Sequence, residues 1–170
     1  MSFIAGAYRL KLTPAWPGAK EFDAGATSDG FHLTIERLGD EITADELGKI
    51  VVDGIEGGIS VEFEVVHLEW SEELLAAVLY PYASKPDAKE LTHLGVGSPG
   101  MLWSAYALKA VLDPIRKPSV KRTFWQARCV EPMELLLSGI VPAKIPCRFI
   151  VLPDLAQKGK EFMQSDPVTR

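Results

Sequence analysis

The feature that most constrains this chain is a period-two alternation over residues 59–70. Ile59, Val61, Phe63 and Val65 fall on one face of an extended strand, and Ser60, Glu62 and Glu64 fall on the other. Past Val65 the pattern inverts: His67 and Glu69 continue the first face, and Val66, Leu68 and Trp70 the second. A strand that exchanges its apolar face midway contains a bulge or passes from one packing environment to another. Upstream, Phe31, Leu33 and Ile35 alternate in another strand. Between the two runs, residues 39–49 read as a polar, glycine-containing loop, followed by residues 50–55 and the pair Gly57-Gly58. Connections in compact domains have a median of about 4–6 residues. A long loop carrying Asp40, Glu41, Asp45 and Glu46 therefore points to contact with another subunit rather than to the domain's own core.

Strand-like segments continue through residues 101–112, 122–130 and 143–152. In the second, Thr123, Trp125, Ala127 and Cys129 oppose Arg122, Phe124, Gln126 and Arg128; in the third, Ile145, Cys147, Phe149 and Val151 oppose Lys144 and Arg148. Pro146 predicts an edge position or a free N–H side there. Ser71 followed by Glu72 and Glu73 reads as a helix start, with a capping hydroxyl and acids where the helix dipole favours them. Leu74, Leu75, Val78 and Leu79 form its apolar stripe and Pro81 ends it. Residues 82–94 are loop, 131–139 are a single helical turn or a loop, and the tail from residue 155 is polar and mobile. One domain spans residues 1–170, with its core at about 30–154 and an irregular N-terminal segment at 1–29. A run of strands with one helix predicts a mainly β fold, a β-sandwich or a partly closed barrel flanked by that helix.

Composition narrows the function. The chain is 47% hydrophobic and 24% charged, an ordinary folded protein rather than a disordered one. Its net charge of −5, with Lys and Arg scattered, argues against a phosphate-binding face. The first residues have no basic region before a short apolar run, so no signal peptide is expected, and no apolar stretch approaches the ~20 residues of a membrane span. Gly95-Val96-Gly97-Ser98-Pro99-Gly100 matches the dinucleotide pattern literally, but Pro99 opposes the helix that the motif must open, and a strand follows. It is a turn. His32, His67 and His93 are dispersed and give no metal-ligand spacing. Cys129 and Cys147 sit in separate apolar strands and read as small buried thiols, with a disulfide between neighbouring strands as the lesser alternative. Glu62 and Glu64 have the form of an acid–base pair, but a solvated strand face accounts for them more simply. The four tryptophans read as core or interface anchors. No enzyme activity, cofactor or metal is expected.

In the order of its parts the chain resembles the tail tube proteins of long-tailed phages. The parts are Ile42-Thr43-Ala44-Asp45, Gly48, Val52-Asp53-Gly54-Ile55, Gly57-Gly58 with the long strand, and the helix after Ser71. The strand ending Leu112-Asp113-Pro114, then Phe124-Trp125-Gln126-Ala127, Ile145-Pro146-Cys147-Arg148-Phe149 and Leu152-Pro153-Asp154 complete the likeness over residues 30–154. The segment 11–26, with Pro14, Trp16 and Pro17, is longer and more irregular than that family's pattern. The resemblance implies a subunit that assembles with itself into hexameric rings stacked as a tube in the virion tail, made in the host cytoplasm. Tape-measure, tail terminator and baseplate proteins would be its other partners, and DNA would pass through the channel without specific binding. On that reading Ser60, Glu62 and Glu64 face the lumen, and Asp40, Glu41, Asp45 and Glu46 lie in the loop that meets the adjacent ring. A related ring former, such as a tail terminator or a contractile or secretion-system tube protein, and a small ligand-binding β-barrel are the alternatives.

Overall fold

The computed structural model describes residues 8–44, 50–68, 71–82, 100–115, 120–130, 145–156 and 162–167. Among these, the strands are β1 (Tyr8–Thr13), β2 (Phe22–Asp23), β3 (Thr27–Ala44), β4 (Ile50–His67), β5 (Leu108–Pro114), β6 (Val120–Cys129), β7 (Ile145–Leu152) and β8 (Met163–Pro167). They form one antiparallel sheet in the order β2-β1-β5-β6-β7-β4-β3, with β8 beside β7 on the same edge of β6. The fold is mainly β, a single sheet curled into a half-barrel, with one helix, α1 (Glu72–Leu79).

Alternation places the core on one face of this sheet. Leu10 and Leu12 of β1, Leu108, Ala110 and Leu112 of β5, Phe124 and Ala127 of β6, and Val61, Phe63 and Val65 of β4 are all buried. So are Ile145, Cys147, Phe149 and Val151, the apolar face anticipated for β7. Phe63 stacks on both Phe149 and Phe124, with ring centroids 4.7 Å apart in each pair. These three fully buried rings tie together β4, β7 and β6. Pro146 lies beyond the stretch of β7 that pairs with β6, in keeping with its missing N–H. The helix is capped as anticipated: Ser71 Oγ accepts from Leu74 N at 3.1 Å, and Leu74 and Val78 join the core.

Several expectations from periodicity are corrected. The apolar face of β4 does not switch. His67 is 0% exposed on the same face as Val65, and Val66 stays on the opposite one. The irregularity belongs to the partner strand: the β3 register shifts between Ser28 and Phe31, where Gly30 takes a φ of +75°. In β6 the simple alternation fails because two residues intervene between Phe124, opposite Ala110, and Ala127, opposite Leu108, whose own positions differ by two. This bulge lets both Phe124 and Ala127 face the core. The strand expected at 101–112 begins only at Leu108, after a 3₁₀ turn over Trp103–Tyr106. The ends of the chain are also less loose than expected. Residues 1–29 contribute β1, whose Leu10 and Leu12 are fully buried. The tail contributes β8, paired from Val120↔Pro167 to Phe124↔Met163, with Phe162 and Met163 packed on the core. The helical turn or loop at 131–139 lies outside the described residues.

A seam closes the curl. The link from β2 to β3 crosses from one end of the sheet to the other: Ala24 N donates to Leu10 O of β1 at 2.8 Å, and Leu68 N, just past β4, donates to Ala26 O at 2.9 Å. Tyr8 of β1 meets Phe31 of β3 edge-on, with centroids 6.4 Å apart. Arg122 donates to Tyr8 Oη at 2.8 Å from the same side.

Truncating the central ring should be costly. Phe63→Ala is expected to lower stability by about 3–5 kcal/mol in denaturant unfolding, from lost transfer energy and the cavity left between Phe124 and Phe149. A loss below about 1 kcal/mol would show that the stack does not organise the core.

Candidate assembly surface

The loop expected at 39–49 is mostly strand. β3 and β4 pair from Thr27↔His67 to Ala44↔Ile50, so the segment Gly39 to Ala44 is one side of a hairpin. Asp40 and Glu41 lie opposite Ile55 and Gly54. Asp45 and Glu46 lie outside the described residues, as do His93, Trp70, residues 95–99 of the glycine motif and the first seven residues.

The hairpin has two halves. Near the sheet, Phe31 and Leu33 pack against the core, and β4 is paired with β7 from Val61 to His67. From Ile35 and Ile59 outward, β4 is paired only with β3, and every described side chain of the hairpin is exposed. This outer half is an arm. Register assigns its faces. Leu38, Asp40 and Ile42 of β3 stand level with Gly58, Ile55 and Asp53 of β4, so they share one side. Leu38, Ile55 and Ile42, exposed by 46%, 62% and 42%, thus form a diagonal apolar stripe between Asp40 and Asp53. Arg37, Gly39, Glu41 and Thr43 lie on the reverse side, opposite Ile59, Glu56, Gly54 and Val51.

Two bulges shape the arm, one between Leu38 and Gly39 and one between Ile42 and Thr43. At the first, β4 carries one extra residue, Gly57, and Gly58 takes a φ of +107°. A Cβ at Gly39 would stand 2.7 Å from Ile55 O, and one at Gly57 would stand 3.0 Å from Leu38 O. The glycines here permit two backbones to approach, which periodicity alone reads as loop punctuation.

Ser60, Glu62 and Glu64 lie on the face of the sheet opposite the core, level with Glu36, Thr34 and His32 of β3. The register also brings Ile150 and Arg148 of β7 beside Glu62 and Glu64. Arg148 Nε is 3.8 Å from Glu62 Oε2, and His32 Nδ1 is 3.7 Å from Glu64 Oε2. The acids read from β4 alone therefore form part of a mixed-charge strip, and Arg148 and His32 are the members that a single-strand reading misses. Elsewhere, Lys11 donates to Asp113 at 2.8 Å, a hydrogen bond that raises the lysine's pKa. Lys109 lies 4.7 Å from the ring centre of Trp125. Cys129 and Cys147 are thiols, not a disulfide. Among the described residues no three His, Cys, Asp or Glu side chains converge to hold a metal, and no helix is long and apolar enough to cross a membrane. A cleft of ≈ 500 Å³ lies along the seam, lined by Tyr8, Arg9, Asp23, Gly25, Ala26, Thr27, Gly30 and Ile115.

No protein-family model and no curated protein matches this chain. Among solved structures, the chain is similar to one from the baseplate of the anti-feeding prophage, determined by cryo-EM with six-fold symmetrisation. The TM-score is 0.48 at 10% identity, covering 100% of this chain and 99% of that one.

The close approach at Gly39 makes the arm separable from the body by mutation. Gly39→Val is expected to disorder the arm, seen as new protease cleavage within 39–58, while the cooperative unfolding of the body is retained. Equal resistance of mutant and wild type to limited proteolysis would show that the bulge accommodates a side chain.

Proposed function

We propose that the protein is a structural subunit of a phage-tail-type assembly, packing with copies of itself into hexameric rings that stack as a tube. The observation that carries this reading is the arm. The outer half of a long paired hairpin, with exposed Leu38, Ile42, Val51, Ile55 and Ile59, packs on no core of its own chain among the described residues. β3 is also unpaired along its outer edge among the described residues. Soluble proteins shield long strand edges and apolar strips because both invite association, so a chain that displays both is built to be covered. Head-to-tail contacts between unlike surfaces generate rings and stacks. The order of parts shared with tail tube proteins over residues 30–154 supports the same conclusion.

In this arrangement sheets join side by side through the β3 edge, and the arm bearing Asp40 and Glu41 reaches the adjacent ring, the contact also proposed for Asp45 and Glu46. The face bearing Ser60, Glu62 and Glu64 lines the channel. With Arg148 beside Glu62, that lining is mixed in charge, lacking the basic continuity that would hold a phosphate backbone. The subunit performs no chemistry. It is a virion component whose other partners are the tape-measure, terminator and baseplate proteins at the ends of the tube.

Shortening the hairpin tests this directly. Replacing residues 39–57 by an Asn-Gly turn between Leu38 and Gly58 keeps the pairing that packs on the core. The variant should remain folded by circular dichroism and form no tubes by negative-stain microscopy, under conditions where the intact chain, alone or with its tail partners, forms them. Normal tubes from the shortened chain would remove the arm from the assembly. Monomers from the intact chain under every condition would remove the assembly itself.

A further inference from the structure

His67 occupies an unusual position for an ionisable side chain. It is 0% exposed, at the end of β4, where the half-barrel closes. Its Nδ1 lies 3.2 Å from Ala24 O, so the neutral ring donates its proton to the link between β2 and β3. In that tautomer Nε2 is an acceptor, and it is buried without a hydrogen-bonding partner. Protonation would create a second N–H, and a full charge, with nothing polar among the described residues to receive it. The neighbouring backbone bonds, Ala24 N to Leu10 O and Leu68 N to Ala26 O, belong to the same seam. We propose that His67 is a proton-operated latch: neutral, it holds the β2–β3 link across the opening of the barrel, and protonated, it releases that link and frees the base of β3.

Among the described residues, no charged group faces His67 from the elements around it. The residues level with His67 on β3 and β7 are Thr27 and Ile145, neither ionisable. On the link, the Asp23 carboxylate accepts from Gly25 N and pairs with Arg9 at 3.5 Å. On β1, Arg9 and Lys11 alternate with the buried Leu10, and Lys11 is held by Asp113. On β3, β4 and β7, His32, Glu62, Glu64 and Arg148 lie on the face opposite the core. At the start of α1, Glu72 is half-buried and Glu73 exposed. Burial is accordingly the main cause of a lowered His67 pKa, only partly offset by the bond to Ala24 O. The sign follows. Below the ordinary value of 6.5 the open state takes up a proton that the closed state resists, so closure is complete at neutral pH and weakens as the pH falls.

The latch rests on the seam alone and holds whether or not the subunit builds a tube. Its test is amide hydrogen exchange on the intact chain between about pH 7.5 and pH 5, corrected for intrinsic rates. The probes are the Ala24 and Leu68 amides, with those of β6 and β7 as the reference. In the wild type, protection at Ala24 and Leu68 should fall by up to roughly tenfold per pH unit once the open state titrates, while the reference amides hold. His67→Asn places an uncharged amide nitrogen where Nδ1 stands, and its seam protection should be independent of pH over the same range. A pH-independent wild-type seam, or an equal fall in H67N, would overturn the proposal. Should H67N fail to fold, the wild-type imidazole resonances decide it: the seam must open in step with protonation of His67, and protonation with the seam closed refutes the latch.

Discussion

The antiparallel pairing of β3 with β4 is the constraint on which the rest of the structure depends. One ladder, with three register shifts, runs from Thr27↔His67 to Ala44↔Ile50 and does two kinds of work along its length. At its base, the core-facing side chains of β4, Val61, Phe63, Val65 and His67, are held where β7 can pair with them and where Phe63 meets Phe124 and Phe149. Because a strand has period two, a slip of one residue here would turn those four side chains out to solvent and Glu62 and Glu64 into the core. Farther out the same ladder continues with no layer behind it, and it becomes the arm.

Backbone hydrogen bonds explain how the arm keeps its form without a core. Each strand of the hairpin satisfies the inner N–H and C=O groups of the other, so an extended ribbon can leave the body without burying unpaired polar groups. What it cannot supply by itself is cover for Leu38, Ile42 and Ile55, or partners for its outer edges. The bulge at Gly39 and Gly57 adds local twist at the base of the apolar stripe, since bulges increase the right-handed coiling of a ribbon. The ribbon also carries the acids Asp40, Glu41, Asp53 and Glu56.

The seam is the counterpart of the arm at the other end of the hairpin. A half-barrel retains two sheet ends, and here the β2–β3 link, Tyr8 against Phe31, and His67 against Ala24 hold those ends together. Placing a histidine there, where Val or Ile would pack with no polar cost, exchanges apolar burial for a single directed bond to a carbonyl. Its position also accounts for the misleading pattern after Val65. His67 is polar in kind but faces the core, and the half-exposed Val66 faces out.

Much of the body was legible in the sequence. The alternation of Val61, Phe63 and Val65, that of Ile145 to Val151, the capped helix after Ser71, and the position of Pro146 each follow from rules acting over two to four residues, and each is present. What sequence patterns missed has a common physical cause. That 39–44 pairs with 50–56 depends on backbone bonds between segments whose described side chains are exposed, so no hydrophobic period marks them. The bulges in β3, β4 and β6 shift registers by one or two residues, through backbone geometry that composition does not encode. The tail becomes strand because β6 offers an edge to Met163–Pro167, and Arg148 comes to face Glu62 because β7 lies beside β4. Alternation along the chain thus marks the core-facing side chains where a strand runs without a bulge, as in Val61 to Val65 and Ile145 to Val151, because that is a local property. Only the tertiary structure decided which strands are neighbours, where the barrel closes and how far the hairpin projects, because those depend on pairing between segments far apart in the chain.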